Sequence, residues 1–196
     1  YNREVLEKLI ETRGRHSGHI QVVSSGPNYQ FRTIRDNALK LIMEAQKYIY
    51  IQTPYFVPDD SVLEALKIAS LSGVKIKIMI PDKPDHFFIY WINQYFVGEL
   101  LDLGVEVYKY NKGFIHSKLI VVDDEVVSTG TANFDYRSFY QNFEINVNIY
   151  EKDVAQSFRK IFFNDIKHST RLLRSEYSKR SYYIKFKESV CRLLAP

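Results

Sequence analysis

The chain has 196 residues, of which 45% are hydrophobic and 26% charged, with a formal net charge of +4. That length holds one good core, so one domain is the default, and the composition excludes a disordered chain. A lone cysteine, Cys191, excludes an internal disulfide, and the longest apolar run, Phe87 to Ile92, falls far short of the ~20 residues that cross a bilayer. The chain opens at Tyr1 rather than at Met, and is expected to be soluble by itself and a piece of something longer.

In chain order, Glu4 to Thr12 reads as a short amphipathic helix with Val5, Leu6, Leu9 and Ile10 on one side. Arg13 to Gly18 breaks it as a linker, and His16-x-x-His19 there carries no metal-site signal. His19 to Ser24 is strand-like, and Gly26-Pro27-Asn28 turns the chain. Phe31 to Lys47 has helical periodicity and leads into the aromatic, β-branched strand Tyr48 to Thr53. Pro54 to Pro58 is a rigid loop, after which Asp59 or Asp60 caps a helix running to about Ser72. Gly73 ends that helix and Val74 to Ile80 is a strand. Pro81 to Pro84 turns into a helix over Phe87 to Leu103, and Gly104 stops it before the strand Val105 to Tyr110. Then come a strand Ser117 to Val122, a turn Asp123-Asp124-Glu125, a strand Val126 to Thr129 and a loop through Asn133. Phe143 to Tyr150 is a strand, Val154 to Ile166 a helix, and the tail from about Ser178 to Leu194 is helical. This alternation predicts an α/β class domain, layered around a central mixed sheet, without internal repeats.

Charge is unevenly spread. Residues 1–150 carry 16 Lys/Arg against 18 Asp/Glu, and residues 151–196 carry 11 against 5. A basic C-terminal segment interleaved with Tyr182, Tyr183 and Phe186 suits an anionic membrane surface or nucleic acid, and equally suits a solvated helix face.

The chemistry-bearing residues cluster in the middle. His116, Lys118, Asp123, Gly130 and Asn133 have the spacing H-x-K-x4-D-x6-G-x2-N, for which this composition gives on the order of 10⁻⁵ to 10⁻⁴ chance matches. His116 and Lys118 are two apart on the predicted strand, so both leave one face. The hairpin returns Gly130 to Asn133 beside them, and Glu144 opens the polar face of a neighbouring strand. Cleaving a phosphodiester spreads charge over the phosphoryl oxygens, so a lysine and neutral donors such as Thr131 and Asn133 suit the substrate phosphate. An imidazole can attack phosphorus or protonate the leaving oxygen, and a carboxylate on its far nitrogen would fix the tautomer. Asp123 in a turn stands open between a structural and a chemical role, and Gly130 is expected to serve backbone conformation. No phosphate-binding G-x4-G-K-[ST] loop and no metal-ligand spacing occurs, so neither metal nor cofactor is expected.

The His116-x-Lys118-x4-Asp123 and Gly130-Thr131-x-Asn133 pattern resembles the HKD motif of the phospholipase D superfamily, with Glu144 where that family carries its orienting carboxylate. Thr53-Pro54-Tyr55-Phe56-Val57-Pro58-Asp59, the run from Gly130 to Phe139 and Asn142-Phe143-Glu144-Ile145-Asn146 look like the second half of bacterial cardiolipin synthases. So do Val22 to Pro27 and the final Cys191 to Pro196. The resemblance implies a phospholipase D-like α/β/α domain over residues 19–170, preceded by a linker and helix over 1–18 and followed by a basic helical tail over 171–196. It implies transfer of a phosphatidyl group between two phosphatidylglycerol molecules through a phosphohistidine, giving cardiolipin and glycerol at the cell membrane. His116, Lys118, Asp123 and Glu144 would be catalytic, with Thr131 and Asn133 on the phosphate. His116 would be the acid–base partner of a nucleophilic histidine in the first half of the same enzyme, although the residues alone leave it open as nucleophile or acid. This chain has one HKD motif, so it is expected to turn over little by itself, or to pair with a second copy. Two rival readings are a homodimeric phosphodiesterase or nuclease of the superfamily, and a non-catalytic module that binds anionic lipid.

Overall fold

A computed structural model describes residues 18–193 apart from 84 and 86. The helix expected over Glu4 to Thr12 lies outside the described residues. Among those described, seventeen elements follow one another: β1 (His19–Ser25), α1 (Thr33–Glu44), β2 (Tyr48–Gln52), β3 (Phe56–Val57), α2 (Asp60–Leu71), β4 (Lys75–Pro81), α3 (Phe87–Leu101), β5 (Glu106–Tyr110), β6 (Leu119–Val122), β7 (Val126–Gly130), β8 (Phe134–Asp135), α4 (Tyr136–Tyr140), β9 (Glu144–Tyr150), α5 (Lys152–Ile166), β10 (Ser169–Leu172), α6 (Arg174–Ser178) and α7 (Tyr182–Leu193).

Eight strands form one mixed sheet in the order β1-β9-β7-β6-β2-β4-β5-β10. β2, β4 and β5 run parallel, each joined to the next by a crossover helix, as parallel pairing requires. The remaining neighbours pair antiparallel, so β6 enters the sheet from the end where β2 leaves it. Alternation along the strands sorts side chains into two cores. Ile49, Ile51, Ile78, Ile80 and Ile120 pack under α1, α2 and α3. Tyr50, Met79, Leu119 and Val121 pack under α5, whose Phe162 is fully buried and stacks on Tyr50 with ring centroids 5.1 Å apart. The domain is therefore three layers, α/β/α. α3 is apolar on nearly every side because the sheet lies beneath it and α7 packs against it.

Five elements are additional to those expected: β3, β8, α4, β10 and α6. The Pro54 to Pro58 loop contains β3, which pairs in parallel with β8 as a separate two-stranded sheet, and Phe56 stacks on Phe134. Two residues are too short to show a period, so tertiary pairing alone defines them. The short helix α4 follows Asp135, and the edge strand β10 closes onto β5 across the boundary expected at residue 170. The strand expected from Ser117 begins at Leu119, the first residue paired with β2.

Asp59 ties three helices together. Its Oδ1 accepts the Val62 amide at the start of α2 at 2.8 Å, and its Oδ2 accepts Arg35 Nε from α1 at 2.8 Å and Tyr140 Oη from α4 at 2.6 Å. Burial pushes this carboxyl up, but the bonds from Tyr140, Arg35 and Val62 outweigh it and hold the group below the usual carboxylate range. The Tyr140 phenol is pushed up to about 12, by burial first and by the carboxylate it bonds second. A depressed folded value means that the stabilisation is complete above the ordinary carboxylate pKa and fades as pH falls through the lower one. Asp59→Ala should cost roughly 1–3 kcal/mol near neutral pH, from the lost cap and the orphaned guanidinium. Denaturant titrations from neutral to acid should show the gap between variant and wild type closing as pH falls. A gap that stays constant would show that the charge of Asp59 contributes nothing.

Candidate active site

The site is built where the parallel strands reach their carboxyl ends, the usual crevice of an α/β sheet. Thr53 follows β2, Lys118 precedes β6, Gly130 closes β7 and Glu144 opens β9. The register Gln52↔Leu119, Leu119↔Thr129 and Gly130↔Asn146 brings these ends together. Gly130 is needed for close approach, because a Cβ there would lie 2.2 Å from the Ile145 carbonyl oxygen and 2.6 Å from Asn146 Cα. The expected reason, backbone conformation, is therefore replaced by space: Gly130 is absent from the residues with positive φ. The close approach lets the Thr131 amide donate to the Ile145 carbonyl at 2.9 Å, while the Ile145 amide donates to Thr131 Oγ1 at 2.9 Å.

Lys118 is half-buried and donates from Nζ to the His116 carbonyl at 2.9 Å, so its ammonium folds back beneath the histidine. Burial pushes its pKa down, and the carboxylates of Glu144 and Asp135 oppose that only in part. His116 is exposed and its ring lies 5.9 Å from that of Phe114. Among the described residues the His116 ring has no hydrogen-bond partner.

Glu144 does not orient His116 here, contrary to the sequence expectation. Its Oε2 accepts the Thr131 hydroxyl, and its Oε1 accepts Ser138 Oγ at 2.9 Å and Asn142 Nδ2 at 3.2 Å. Three of the roughly four acceptor positions of a carboxylate are thus occupied by the loop that carries Thr131. The cause is local. His116 lies before the first paired residue of β6 and so is not held on the face from which Glu144 projects.

Asn133 donates its backbone amide to Ser138 Oγ at 3.0 Å, and its side-chain amide hydrogen-bonds Asp135. Asp135 caps α4 by accepting the Ser138 amide at 2.7 Å, and burial, the largest influence, pushes its pKa up. Ser138 is fully buried and joins Asn133, Asp135 and Glu144 into one network. Sequence reading gave Ser138 and Asp135 no role. The signal was there in Asp135-x-x-Ser138, an N-cap residue with its partner three places on.

Asp123 stands apart from the other five residues. It occupies the opposite end of β6, about 16 Å along the chain from Lys118 at ~3.3 Å per residue. Its carboxylate accepts three successive amides, Gln46 at 2.6 Å, Lys47 at 2.9 Å and Tyr48 at 2.7 Å, at the entry to β2. Asp123 and Asp124 form the two-residue turn at φ 55° and 60°, left-handed values that Asp tolerates better than most residues. Asp124 then meets Arg159 of α5 at 2.6 Å. These contacts give Asp123 an architectural role at the end of β6 opposite Lys118.

The family model described as the cardiolipin synthase, PLD-like domain, matches residues 38–166, a span that holds every one of these residues. The chain belongs to that family. Among curated relatives, cardiolipin synthase of Listeria monocytogenes is 51% identical over 181 residues, which are 91% of this chain and 38% of the relative. Cardiolipin synthase of Staphylococcus aureus is 48% identical over 177 residues, 90% of this chain and 36% of the relative. The chain thus spans less than two fifths of these relatives. Its phospholipase D fold recurs in Nuc of Salmonella typhimurium, a phospholipase D family member, with a TM-score of 0.68, 22% identity and coverage of 80% of this chain and 99% of that one. It recurs also in phosphatidylserine synthase of Haemophilus influenzae, with a TM-score of 0.70, 17% identity and coverage of 90% and 44%. The α/β/α expectation for this PLD-like domain therefore stands.

The placement of Asp123 has a measurable consequence. Asp123→Ala leaves three amides of the α1–β2 junction without their charged acceptor and should destabilise the chain by roughly 2–4 kcal/mol, read from denaturant midpoints. Any activity measured on the folded fraction should change by less than about threefold, within the range of small surface effects. A variant of wild-type stability that had lost activity on folded protein would return Asp123 to the chemistry.

Proposed function

We propose that this chain is the C-terminal catalytic part of a phosphatidyltransferase that makes cardiolipin from two molecules of phosphatidylglycerol. The observation that carries the reading is the convergence of Lys118, Thr131, Asn133 and Glu144 at one sheet end, beside an exposed His116. Lys118 is an ammonium already half-stripped of water, so a phosphate diester replaces lost hydration with direct charge. Asn133 adds a neutral donor, one amide hydrogen being held by Asp135, while the Thr131 hydroxyl gives its one proton to Glu144 and would reach a phosphate only by leaving that carboxylate.

In this reading a second histidine, supplied by the N-terminal half of the same enzyme, attacks phosphorus, and His116 donates its proton to the departing glycerol oxygen as the P–O bond breaks. The second phosphatidylglycerol then gives its hydroxyl proton to the neutral His116, its oxygen attacks phosphorus, and the P–N bond of the phosphohistidine breaks. The open, unpaired ring of His116 suits a group that must reach an alcohol oxygen twice. No metal or cofactor enters these steps, and the catalytic domain works at the membrane where both lipids reside.

In the complete protein, His116→Ala should lower turnover of phosphatidylglycerol by at least the ~10²–10⁴-fold typical of a lost acid–base group. The present chain alone, as a monomer, should turn over neither phosphatidylglycerol nor single-stranded DNA. DNA cleavage by a dimer of this chain would favour the nuclease reading instead. The depressed pKa of Lys118 sets the alkaline side: kcat/KM should fall as pH rises through a value below the ordinary lysine range, because the neutral amine no longer attracts the phosphate. Lys118→Arg should move that limb upward, and an unchanged limb would show that another group titrates.

A further inference from the structure

The last two helices are held to α3 by polar and aromatic contacts that leave an apolar face outward. Tyr177 of α6 sets its phenol where Gly98 has no side chain, and a Cβ on Gly98 would lie 1.7 Å from that oxygen. The hydroxyl donates to the Gln94 carbonyl at 2.7 Å. Arg180 lies 3.0 Å above the Tyr177 ring and donates to Glu188 Oε1 at 2.7 Å and Oε2 at 2.5 Å. α7 is thereby fixed with its acid inward.

Glu188 is 2% exposed, whereas Tyr182 is 90%, Tyr183 65%, Phe186 68% and Leu193 77% exposed. At ~100° per residue these four and Val190 share an arc of about 100°, so they form one apolar ridge. Lys185 and Arg192 flank it on one side and Lys187 on the other. A surface helix ordinarily turns such a stripe toward the core; α7 turns it toward solvent. The ridge also continues toward the active site. Lys187 Nζ lies 4.4 Å from the Tyr183 ring and 5.6 Å from that of Trp91. Next to Trp91, Tyr90 borders a small cleft with Phe114, the ring neighbour of His116.

We propose that the outward face of α7 docks on an anionic phospholipid bilayer. Its rings would sit at the boundary between headgroups and acyl chains, with Lys185, Lys187 and Arg192 on lipid phosphates, the pattern of an interfacial helix. Charge decides the occupant. Residues 174–193 carry six Lys/Arg against two Glu, and one of those acids is buried against Arg180. A second copy packed ridge to ridge about a twofold would bring these cations against their own images. The proposal rests on the phosphatidyl-transfer reading only for the choice of lipid.

Co-sedimentation of the present chain with vesicles tests it, using phosphatidylglycerol mixed into phosphatidylcholine against phosphatidylcholine alone, at low and high salt. The wild type should adsorb to the anionic vesicles and release with salt. The double variant Tyr183→Ser, Phe186→Ser should adsorb at least ~10-fold more weakly. Its far-ultraviolet circular dichroism and thermal midpoint should match the wild type, since both side chains are exposed. The Phe186→Trp variant should adsorb normally, and the fluorescence that the new indole adds should shift to the blue on anionic vesicles. Equal adsorption to both vesicle types, an unshifted emission from the Phe186→Trp variant, or a ridge variant that changes self-association or DNA binding rather than adsorption would overturn the proposal. His116→Ala should adsorb like the wild type. Adsorption by a complete enzyme that fails to transfer phosphatidyl groups would thus end the catalytic reading and leave the docking surface standing.

Discussion

The pairing register between β2 and β6 is the constraint on which the site depends. Gln52 faces Leu119, so the last residue of one strand meets the first of the other, and the residues just outside the ladder, Thr53 and Lys118, are brought side by side. Strand alternation makes this register hard to shift, since a slip of one residue would turn Leu119 and Val121 out of the α5 core. The hydrophobic pattern of a buried strand thus indirectly fixes where an ammonium stands. From there the hairpin and β9 follow, and the loop from Thr131 to Asn142 inherits its position.

Polar side chains at that sheet end mostly hold one another rather than wait for a ligand. Glu144 gathers Thr131, Ser138 and Asn142, and Asp135 gathers Ser138 and Asn133. Two carboxylates beside one partly dehydrated lysine leave that end with a negative excess, held in place by neutral donors before any substrate arrives. Only Asn133, whose side-chain amide has a second hydrogen beyond the one given to Asp135, can meet an incoming anion without breaking a bond in this network. His116 is the exception, an untethered ring beside a fixed cradle.

Much of this was legible in the sequence because each signal was local. The crossover helices were marked by Asp59 and by Gly73 and Gly104, both glycines at positive φ. Lys118 and Asn133 stand out by spacing, Thr131 and Glu144 by their place in the hairpin and strand and by family resemblance, and the structure brings the four to one sheet end. What escaped depended on contacts between distant segments. β3 and β8 exist only because Phe56 and Phe134 stack across 78 positions of sequence. Asp123 shares the motif with His116 and Lys118, yet its partners Gln46, Lys47 and Tyr48 are more than 70 residues away, which spacing could not reveal. The expected Glu144–His116 bond failed for a related reason, since whether His116 belongs to the ladder is settled by pairing.

The half-buried ammonium of Lys118 also limits what the cradle can discriminate. Its attraction is for a phosphoryl charge as such, and the Asn133 amide beside it offers the same donor to any phosphate oxygen. A free inorganic phosphate, a headgroup and a nucleotide backbone present it with nearly the same face. Selectivity among esters therefore has to be exercised farther out, by whatever grips the alcohol and the acyl chains. Exchanging the walls around this pocket would change the substrate without touching the residues that handle phosphorus.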